Sequence, residues 1–352
     1  MNPDLLERGQ QAIARGLGWL RDNASQISQI EDLSAHYKAP YLYAVQGDPL
    51  RARYYADLME GRYLQADGDF RTRPGDRGWA DAPAMPAVRY LYPNGWIIVG
   101  LRKLGVYGAA RRGIDFVRRF QSPQLGGFFS GFDASSGQVD RRYLDSSSTS
   151  SAGLALLACG LVEEAIPAGD FLLRLLKAQP EPERNFYTTW DAEAGLVTDV
   201  WGQAGQRLAW PRVQFCLSTE ADPLKELTWL AGKAMKFLAK LYDQTSDRKY
   251  LDGAVSLFDF FHRLDEGRWE NTGSCKIMWA SAELYRHTGD RRFAETAEHI
   301  FDVLCQTQTP EGVWVHTVIG SLDKQPMTAT VDIAQELCAE MTDVMFDLSP
   351  AA

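Results

Sequence analysis

Long apolar runs are missing from this chain of 352 residues. No stretch reaches the ~18 consecutive apolar residues that a membrane-spanning helix needs, so we expect no membrane span. The first residues carry acidic side chains and lack the apolar core of a secretory signal peptide. We therefore expect a cytoplasmic protein.

Cysteine pairs, excess positive charge and familiar cofactor motifs are missing as well. The five cysteines are far apart in the chain and form no C-x-x-C pair, which argues against a zinc ribbon or a thiol redox site. With 37 Lys and Arg against 46 Asp and Glu the net charge is −9, whereas a nucleic-acid-binding protein needs a basic face. No P-loop, dinucleotide fingerprint, H-E-x-x-H or nucleophile elbow occurs, so we expect no metal and no cofactor.

The chain is instead rich in aromatic residues, with 10 Trp, 14 Tyr and 16 Phe. Many fall in a repeated pattern, in which six amphipathic helical segments mostly end in Gln, a short turn, Gly or Asp, and then an aromatic residue. Examples are 116–128 (FVRRFQSPQLGGF) and 301–314 (FDVLCQTQTPEGVW). These segments alternate with six others that are richer in small residues, such as 148–159. Six hairpins of one outer and one inner helix close into a ring, so the sequence predicts an all-α protein, a single (α/α)6 barrel domain over residues 1–352.

The links between the predicted helices fall into two groups. Those from an inner helix to the next outer helix are short, as at 46–49, 104–108 and 287–292, whereas those from outer to inner are long, as at 64–92 and 179–226. In an alternating barrel all links of one kind lie at one end. We therefore expect the site under the long loops, at the N-termini of the inner helices.

Several phrases resemble known α/α toroids. The residues Arg112-Gly113, Phe116-Val117, Gln121, Gly126 and Phe128 nearly match the QW repeat of triterpene cyclases, in which the motif is structural. The segments 241–258 and 284–300 resemble hairpin turns of the six-hairpin glycosidases and sugar epimerases, and 145–160 is similar to an inner-helix start in unsaturated-glucuronyl hydrolases. The resemblance implies a toroid and sugar chemistry. The D-x-D-D and D-D-x-x-D motifs of terpenoid cyclases are absent.

Three acidic residues on the predicted loop rim are candidate catalytic groups. Asp81 follows Trp79 in a Pro-interrupted loop, and a Trp ring beside a carboxylate is a common sugar-binding arrangement. Asp145 precedes a Ser-rich helix start, where it is either an N-cap, a carboxylate at the barrel mouth, or both. Glu270 follows Trp269 at the start of the fifth inner helix.

Two histidines, a lysine and a pair of acids complete the set. Sugar epimerases of this fold use two histidines, so the resemblance implies that His36 and His316 act together near neutral pH. Lys276 lies on an otherwise apolar inner helix and needs a carboxylate partner or a substrate anion, unless it reaches the rim. Asp332 and Glu336 share a helix face that points either into the cavity or at a neighbouring helix. The aromatic residues that we expect at the barrel mouth are Tyr37, Trp79, Tyr143, Trp190, Trp210 and Trp269.

These residues predict a cofactor-independent enzyme that acts on a sugar or a sugar-like small molecule by acid–base chemistry in the barrel mouth. Hydrolysis would use Asp81, Asp145 and Glu270, whereas epimerisation would use His36 and His316. One alternative is a cyclase or isomerase of an apolar, terpenoid-like substrate, which would have an almost purely aromatic and aliphatic cavity. Another is a non-catalytic binding module, with a shallow cavity and no titratable pairs. The sequence does not define the oligomeric state.

Overall fold

The computed structural model describes residues 1–72, 90–133, 136–200, 215–317 and 319–349. Asp81, Trp79 and Trp210 lie outside these residues. The helices are α1 (Pro3–Asp22), α2 (Ala24–Gln29), α3 (Ala39–Val45), α4 (Pro49–Leu58), α5 (Leu91–Lys103), α6 (Tyr107–Arg118), α7 (Ser146–Ala158), α8 (Val162–Lys177), α9 (Trp229–Thr245), α10 (Arg248–Arg263), α11 (Cys275–Thr288), α12 (Arg291–Thr307) and α13 (Met327–Asp347). None of these helices is long and apolar enough to cross a bilayer.

Six helices form a closed inner ring, in the order α3, α5, α7, α9, α11 and α13. Each packs against the next, and α13 packs back against α3, which closes the ring. The outer helices α4, α6, α8, α10, α12 and α1 each cover one inner helix. The predicted (α/α)6 barrel is therefore confirmed.

The inner and outer helices differ in the way their composition predicts. Helix α7 is buried on all sides at its first six residues, and its Ser and Ala side chains are small enough for such close packing. Helix α12 buries only one stripe, which includes Phe293, Ala297 and Phe301, and exposes charged residues on the opposite face.

The glutamines of the repeat tie neighbouring outer helices together. The Gln121 side-chain amide donates to the carbonyls of Gly126 (3.0 Å) and Glu164 (2.9 Å), so one side chain joins its own turn to the start of α8. Gly126 has φ +82°, and a Cβ there would lie 2.4 Å from the Pro167 carbonyl oxygen, so this turn requires glycine. The aromatic residue that ends the unit, Phe128, is fully buried. These contacts explain why the pattern recurs in the chain.

Short strands occupy the long-loop end of the barrel. They are β1 (Phe129–Asp133), β2 (Gln138–Asp145), β3 (Asn185–Tyr187), β4 (Thr189–Asp191), β5 (Gly195–Leu196) and β6 (Cys216–Ser218). Strands β1, β2, β4 and β5 form one antiparallel sheet in that order, and β3 pairs with β6. Leu144 pairs with Phe129 on one side and Trp190 on the other, which places the end of β2 directly before α7. The links at the opposite end of the barrel are only a few residues long, as predicted.

Candidate active site

A line of carboxylates runs along helix α13 on the side that faces the barrel axis. Asp332, Glu336, Glu340, Asp343 and Asp347 follow one another at spacings of four, four, three and four residues. This spacing keeps all five on one face of a helix. The axis of the barrel is therefore lined on one side by negative charge.

Two buried lysines neutralise the first three carboxylates of this line. Lys38 Nζ lies 2.9 Å from Asp332 Oδ1 and 2.5 Å from Glu336 Oε2, and Lys276 Nζ forms ion pairs with Glu336 and Glu340. Both lysine side chains are about 1% exposed. Buried charges require such pairing, because each alone would lose its hydration without compensation. We call Lys38, Lys276, Asp332, Glu336 and Glu340 the axial ion layer.

Aromatic and imidazole groups surround the axial ion layer at the long-loop end. The Tyr92 hydroxyl donates to Glu336 Oε1 at 3.1 Å, and the Tyr37 ring packs edge-on against Tyr92. Burial, reinforced by Asp332, raises the pKa of Tyr37 well above its ordinary value. Burial lowers the pKa of His316 to about 4, although Asp332 opposes this effect, so the imidazole is neutral at neutral pH.

An axial cavity of about 400 Å³ lies on the other side of the axial ion layer. It extends to the last turns of the inner helices, where Lys103 and Gln244 lie, and thus toward the rim of short links. Its lining combines aromatic rings, carboxylates and lysines, chiefly Tyr41, Trp96, Trp279, Lys233, Lys236, Glu283, Asp343 and Asp347. We expected the site under the long loops, and that expectation stays a prediction, because residues 73–89 and 201–214 of those loops lie outside the described residues.

One carboxylate of the axial cavity is held in place by two neutral donors. Asp343 Oδ2 accepts hydrogen bonds from the Tyr41 hydroxyl (2.5 Å) and from Trp279 Nε1 (3.0 Å). The Trp279 ring is stacked on Trp96, with centroids 6.0 Å apart and an angle of 11°. Burial raises the pKa of Asp347, one turn further on, and Lys236 only partly offsets this. A fixed carboxylate and a carboxyl group that retains its proton more readily therefore line the same cavity.

Lys233 lies where the axial cavity meets the axial ion layer. Its Nζ donates to Ser151 Oγ and stands 3.7 Å from the centroid of the Tyr92 ring. Burial lowers its pKa well below the ordinary value, and the charges of Lys276 and Lys38 act in the same direction. Lys233 therefore gives up its proton more readily than an exposed lysine does.

Among the described residues, two clusters have the spacing of metal ligands, but cations already occupy their carboxylate oxygens. Asp243, Glu283 and His287 form one, and Cys275, Glu336 and Glu340 form the other. Lys236 and Lys240 lie 2.9 and 2.8 Å from Glu283, and Lys276 pairs with both acids of the second cluster. Ammonium groups thus occupy the positions that a cation would take, and the donor sets do not fit a metal ion.

The structure brings five of the residues singled out from sequence to the axis, namely Tyr37, Lys276, His316, Asp332 and Glu336. Asp145 is beside them as the N-cap of α7, where its Oδ1 accepts from the Ser148 N–H at 2.7 Å and its Oδ2 from the Ser148 hydroxyl at 2.6 Å. Its charge also acts on Lys233. Of the two orientations considered for Asp332 and Glu336, the structure has the face pointing toward the axis, where lysines meet it.

The other candidates lie elsewhere. His36 Nε2 is 2.9 Å from the Ile30 carbonyl, and its ring packs between Tyr55 and Tyr63, away from the axis. Glu270 is exposed. Among the aromatic candidates, Trp269 packs in the outer layer against His262 and His299, Trp190 packs on Phe171, and Tyr143 is on β2 beneath Arg142.

Sequence reasoning missed Lys38, Tyr92, Trp96, Glu340 and Asp343. The available signal was the regular acidic spacing on α13, of which only the first two positions were used. Lys233 and Lys236 were not missed, because they interrupt an apolar inner helix as Lys276 does, and the sequence predicts that at least one of them faces solvent or pairs with an acid. Lys236 pairs with Glu283.

Comparisons with known proteins identify the fold. No protein-family model matches the chain, and no curated protein matches it. Among solved structures, a D-mannose isomerase superposes with a TM-score of 0.63 at 12% identity, over 88% of this chain and 86% of that chain. The GH76 α-mannanase of Bacteroides thetaiotaomicron superposes with a TM-score of 0.61 at 14% identity, over 93% of this chain and 95% of the mannanase chain. An unsaturated glucuronyl hydrolase specific for heparin superposes with a TM-score of 0.62 at 9% identity, over 97% of each of the two chains. The chain thus has the α/α-toroid fold of the six-hairpin glycosidases and sugar epimerases, as the sequence resemblance implied.

Proposed function

We propose that this protein is an enzyme that acts on a sugar or a sugar-like polyol by acid–base chemistry in the axial cavity. The observation that carries the proposal is the lining of that cavity, in which the stacked Trp96 and Trp279 rings lie beside Asp343 and Asp347. Aromatic faces suit the C–H faces of a sugar ring, and carboxylates suit its hydroxyls. Three proteins that share the fold are named for sugar substrates, namely the mannose isomerase, the mannanase and the glucuronyl hydrolase. Their names support a sugar as the substrate class here.

The same lining argues against the two alternatives. A terpenoid cyclase needs an apolar cavity in which rings stabilise carbocations, whereas this cavity holds Lys236 and Lys240, whose ammonium groups would repel a cation. A binding module needs no groups with shifted pKa values, whereas Asp347 and Lys233 are both shifted, in opposite directions. Perturbed groups that share a cavity are typical of catalytic sites.

The two acids divide the work in the proposed mechanism. Asp343, held by Tyr41 and Trp279, is the base or the charge-stabilising group, and Asp347 is the proton donor because burial favours its protonated form. These residues replace Asp145, Glu270 and the His36–His316 pair as the proposed acid–base groups. The contribution of Asp81 and Trp79 at the long-loop rim stays a prediction.

Turnover measurements would test this function. We would incubate the enzyme with reducing sugars in D₂O and with aryl glycosides, and follow both by NMR. Isomerisation or epimerisation exchanges the C–H next to the carbonyl for deuterium, whereas hydrolysis releases the aglycone without exchange. Asp343→Asn should lower turnover by about 10²–10⁴-fold.

The matched control is Asp259→Asn, which changes a half-exposed carboxylate on outer helix α10, away from the axial cavity, and should leave turnover as it is. Circular dichroism would show that both variants are folded. Turnover of Asp343→Asn at the wild-type rate would contradict the proposed site.

A further inference from the structure

Three lysines follow one face of α9 along the barrel axis, and one of them differs from the others. Lys236 and Lys240 both pair with Glu283, at 2.9 and 2.8 Å. Lys233 is 3% exposed and has the Ser151 hydroxyl as its hydrogen-bond partner, and no carboxylate of the described residues forms an ion pair with it. The proposed acid–base step leaves Lys233 without a function.

The surroundings of Lys233 favour the uncharged amine. Lys276 on α11 and Lys38 before α3 add positive charge, which disfavours the ammonium form. Asp145 at the start of α7, Glu340 on α13 and the face of the Tyr92 ring on α5 favour the ammonium form and oppose them in part. Burial has the largest effect, since it removes the hydration that a charged amine needs. A desolvated lysine next to other cations is the arrangement that makes this side chain nucleophilic.

Lys233 also lies beside the axial cavity, as a nucleophile must if it is to reach a substrate there. Lys233 and Ser151 line the inner end of the axial cavity, on neighbouring inner helices α9 and α7. The cavity of about 400 Å³ has room for a small sugar. A substrate in the cavity therefore has its inner end beside Nζ.

We propose that Lys233 is a catalytic nucleophile that forms an imine with the aldehyde or ketone carbon of an open-chain sugar in the axial cavity. The substrate class rests on the proposed function. The Nζ lone pair attacks the carbonyl carbon, and the C=O π electrons move to oxygen. That oxygen takes up two protons, one from nitrogen and one from the medium, and leaves as water, while the nitrogen lone pair forms the C=N bond and the resulting iminium returns one proton. The overall change is amine plus carbonyl to imine plus water.

The inference narrows the reaction. Before it returns its proton, the iminium ion withdraws electrons from the adjacent C–H bond, which makes that C–H proton removable by a carboxylate base such as Asp343. This assists isomerisation and epimerisation of carbonyl sugars and gives no assistance to hydrolysis of a glycosidic bond. The expected substrate is therefore a reducing sugar or a keto sugar.

Reductive trapping on the intact folded protein tests the inference. The protein is incubated with D-glyceraldehyde and sodium cyanoborohydride at neutral pH, and each lysine is then mapped by peptide mass spectrometry. The adduct adds the mass of the aldehyde less one oxygen atom, because one water leaves and two reducing hydrogens are gained. We expect Lys233 to be labelled at least tenfold faster than Lys225, an exposed lysine at the surface that pairs with Asp222. Labelling of Lys225 with Lys233 unmodified would overturn the inference.

Trapping and turnover fail independently. Sugar turnover without an adduct on Lys233 would reject the imine and keep the proposed function. An adduct on Lys233 without turnover of any sugar would reject the proposed function and keep the imine. Lys233→Arg retains a cation at this position and cannot form the imine, so it should lose both the adduct and turnover while Lys225 labelling continues. The mapping of the wild-type protein decides the inference even if this variant does not fold.

Discussion

Removal of Lys276 gives the sharpest test of the axial ion layer. Its side chain is about 1% exposed and pairs with Glu336 and Glu340. In Lys276→Met, Glu336 keeps its contact with Lys38 at 2.5 Å. Glu340 is fully buried, its second oxygen has no hydrogen-bond partner among the described residues, and it loses the cation. The variant therefore leaves one uncompensated negative charge inside the barrel.

The expected loss follows from that geometry. Breaking a buried ion pair by removing one partner costs about 3–5 kcal/mol, because the remaining charge has neither water nor a counterion. Whole proteins are stable by about 5–15 kcal/mol, so the change should take a large part of the total. Urea unfolding at neutral pH, followed by circular dichroism, measures the loss of unfolding free energy.

Two further variants make the test specific. Lys225→Met removes an exposed lysine that pairs with Asp222 at 3.3 Å, and should change stability by less than about 1 kcal/mol. Lys276→Met combined with Glu340→Met replaces the pair by apolar groups and should recover most of the loss. The reasoning is refuted if Lys276→Met costs no more than Lys225→Met, or if the double variant is less stable than the single one.

Two other predictions concern His316 and the packing of α9. The NMR titration of the His316 imidazole should have its midpoint near pH 4, and a midpoint near 6.5 would contradict this. The free energy of unfolding should fall as pH decreases from 6.5 to about 4, because the unfolded chain takes up the proton first. His316→Gln should make the free energy of unfolding depend less on pH in this range. A Cβ on Gly232 would lie 2.5 Å from the backbone carbon of Lys276, so Gly232→Ala should destabilise by about 1–3 kcal/mol in urea unfolding. The control is Gly108→Ala on α6, where the added Cβ has no atom within 4 Å and should stabilise the protein by about 0.4–1 kcal/mol. Equal changes in unfolding free energy for the two variants would show that α9 and α11 are not in close contact.

The fold could be predicted from the sequence because its signals are local and repeated. The Gln121 and Phe128 positions recur at most turns of the outer layer, and their contacts are made within one hairpin and its neighbour. The contrast between small inner helices and amphipathic outer helices also depends only on spacing along each helix. The lengths of the links then define the two rims.

The site could be predicted only in part, because it depends on side-chain directions between helices. His36, Tyr37 and Lys38 are consecutive, yet the first faces the outer rings and the last faces the axis. They lie between a short 3-10 turn and α3, where no helical period relates their directions. Trp269 is a similar case, since its aromatic character suits both a sugar site and the outer-layer packing that it has.

The acidic line on α13 held more information than its first two positions gave. Five carboxylates on one face of an inner helix need cations or hydrogen-bond donors opposite them wherever they are removed from water. The lysines on the inner helices α9 and α11 and before α3 were the available partners. Their pairing could be deduced from charge balance, but which lysine lacks an acid depends on the geometry of the ring.

The axial ion layer links the stability of the barrel to the reactivity of Lys233. Apolar side chains could fill the axis at equal or greater stability, so the charges themselves need a reason. Lys276 supplies one, since it neutralises Glu340 and also lowers the pKa of Lys233 from the adjacent helix. Lys276→Met removes that positive charge and leaves Glu340 negative, and both changes favour the protonated form of Lys233. Trapping by D-glyceraldehyde at Lys233 should therefore slow in this variant, while labelling of Lys225 stays constant. Unchanged labelling of Lys233 would mean that burial alone makes the amine reactive.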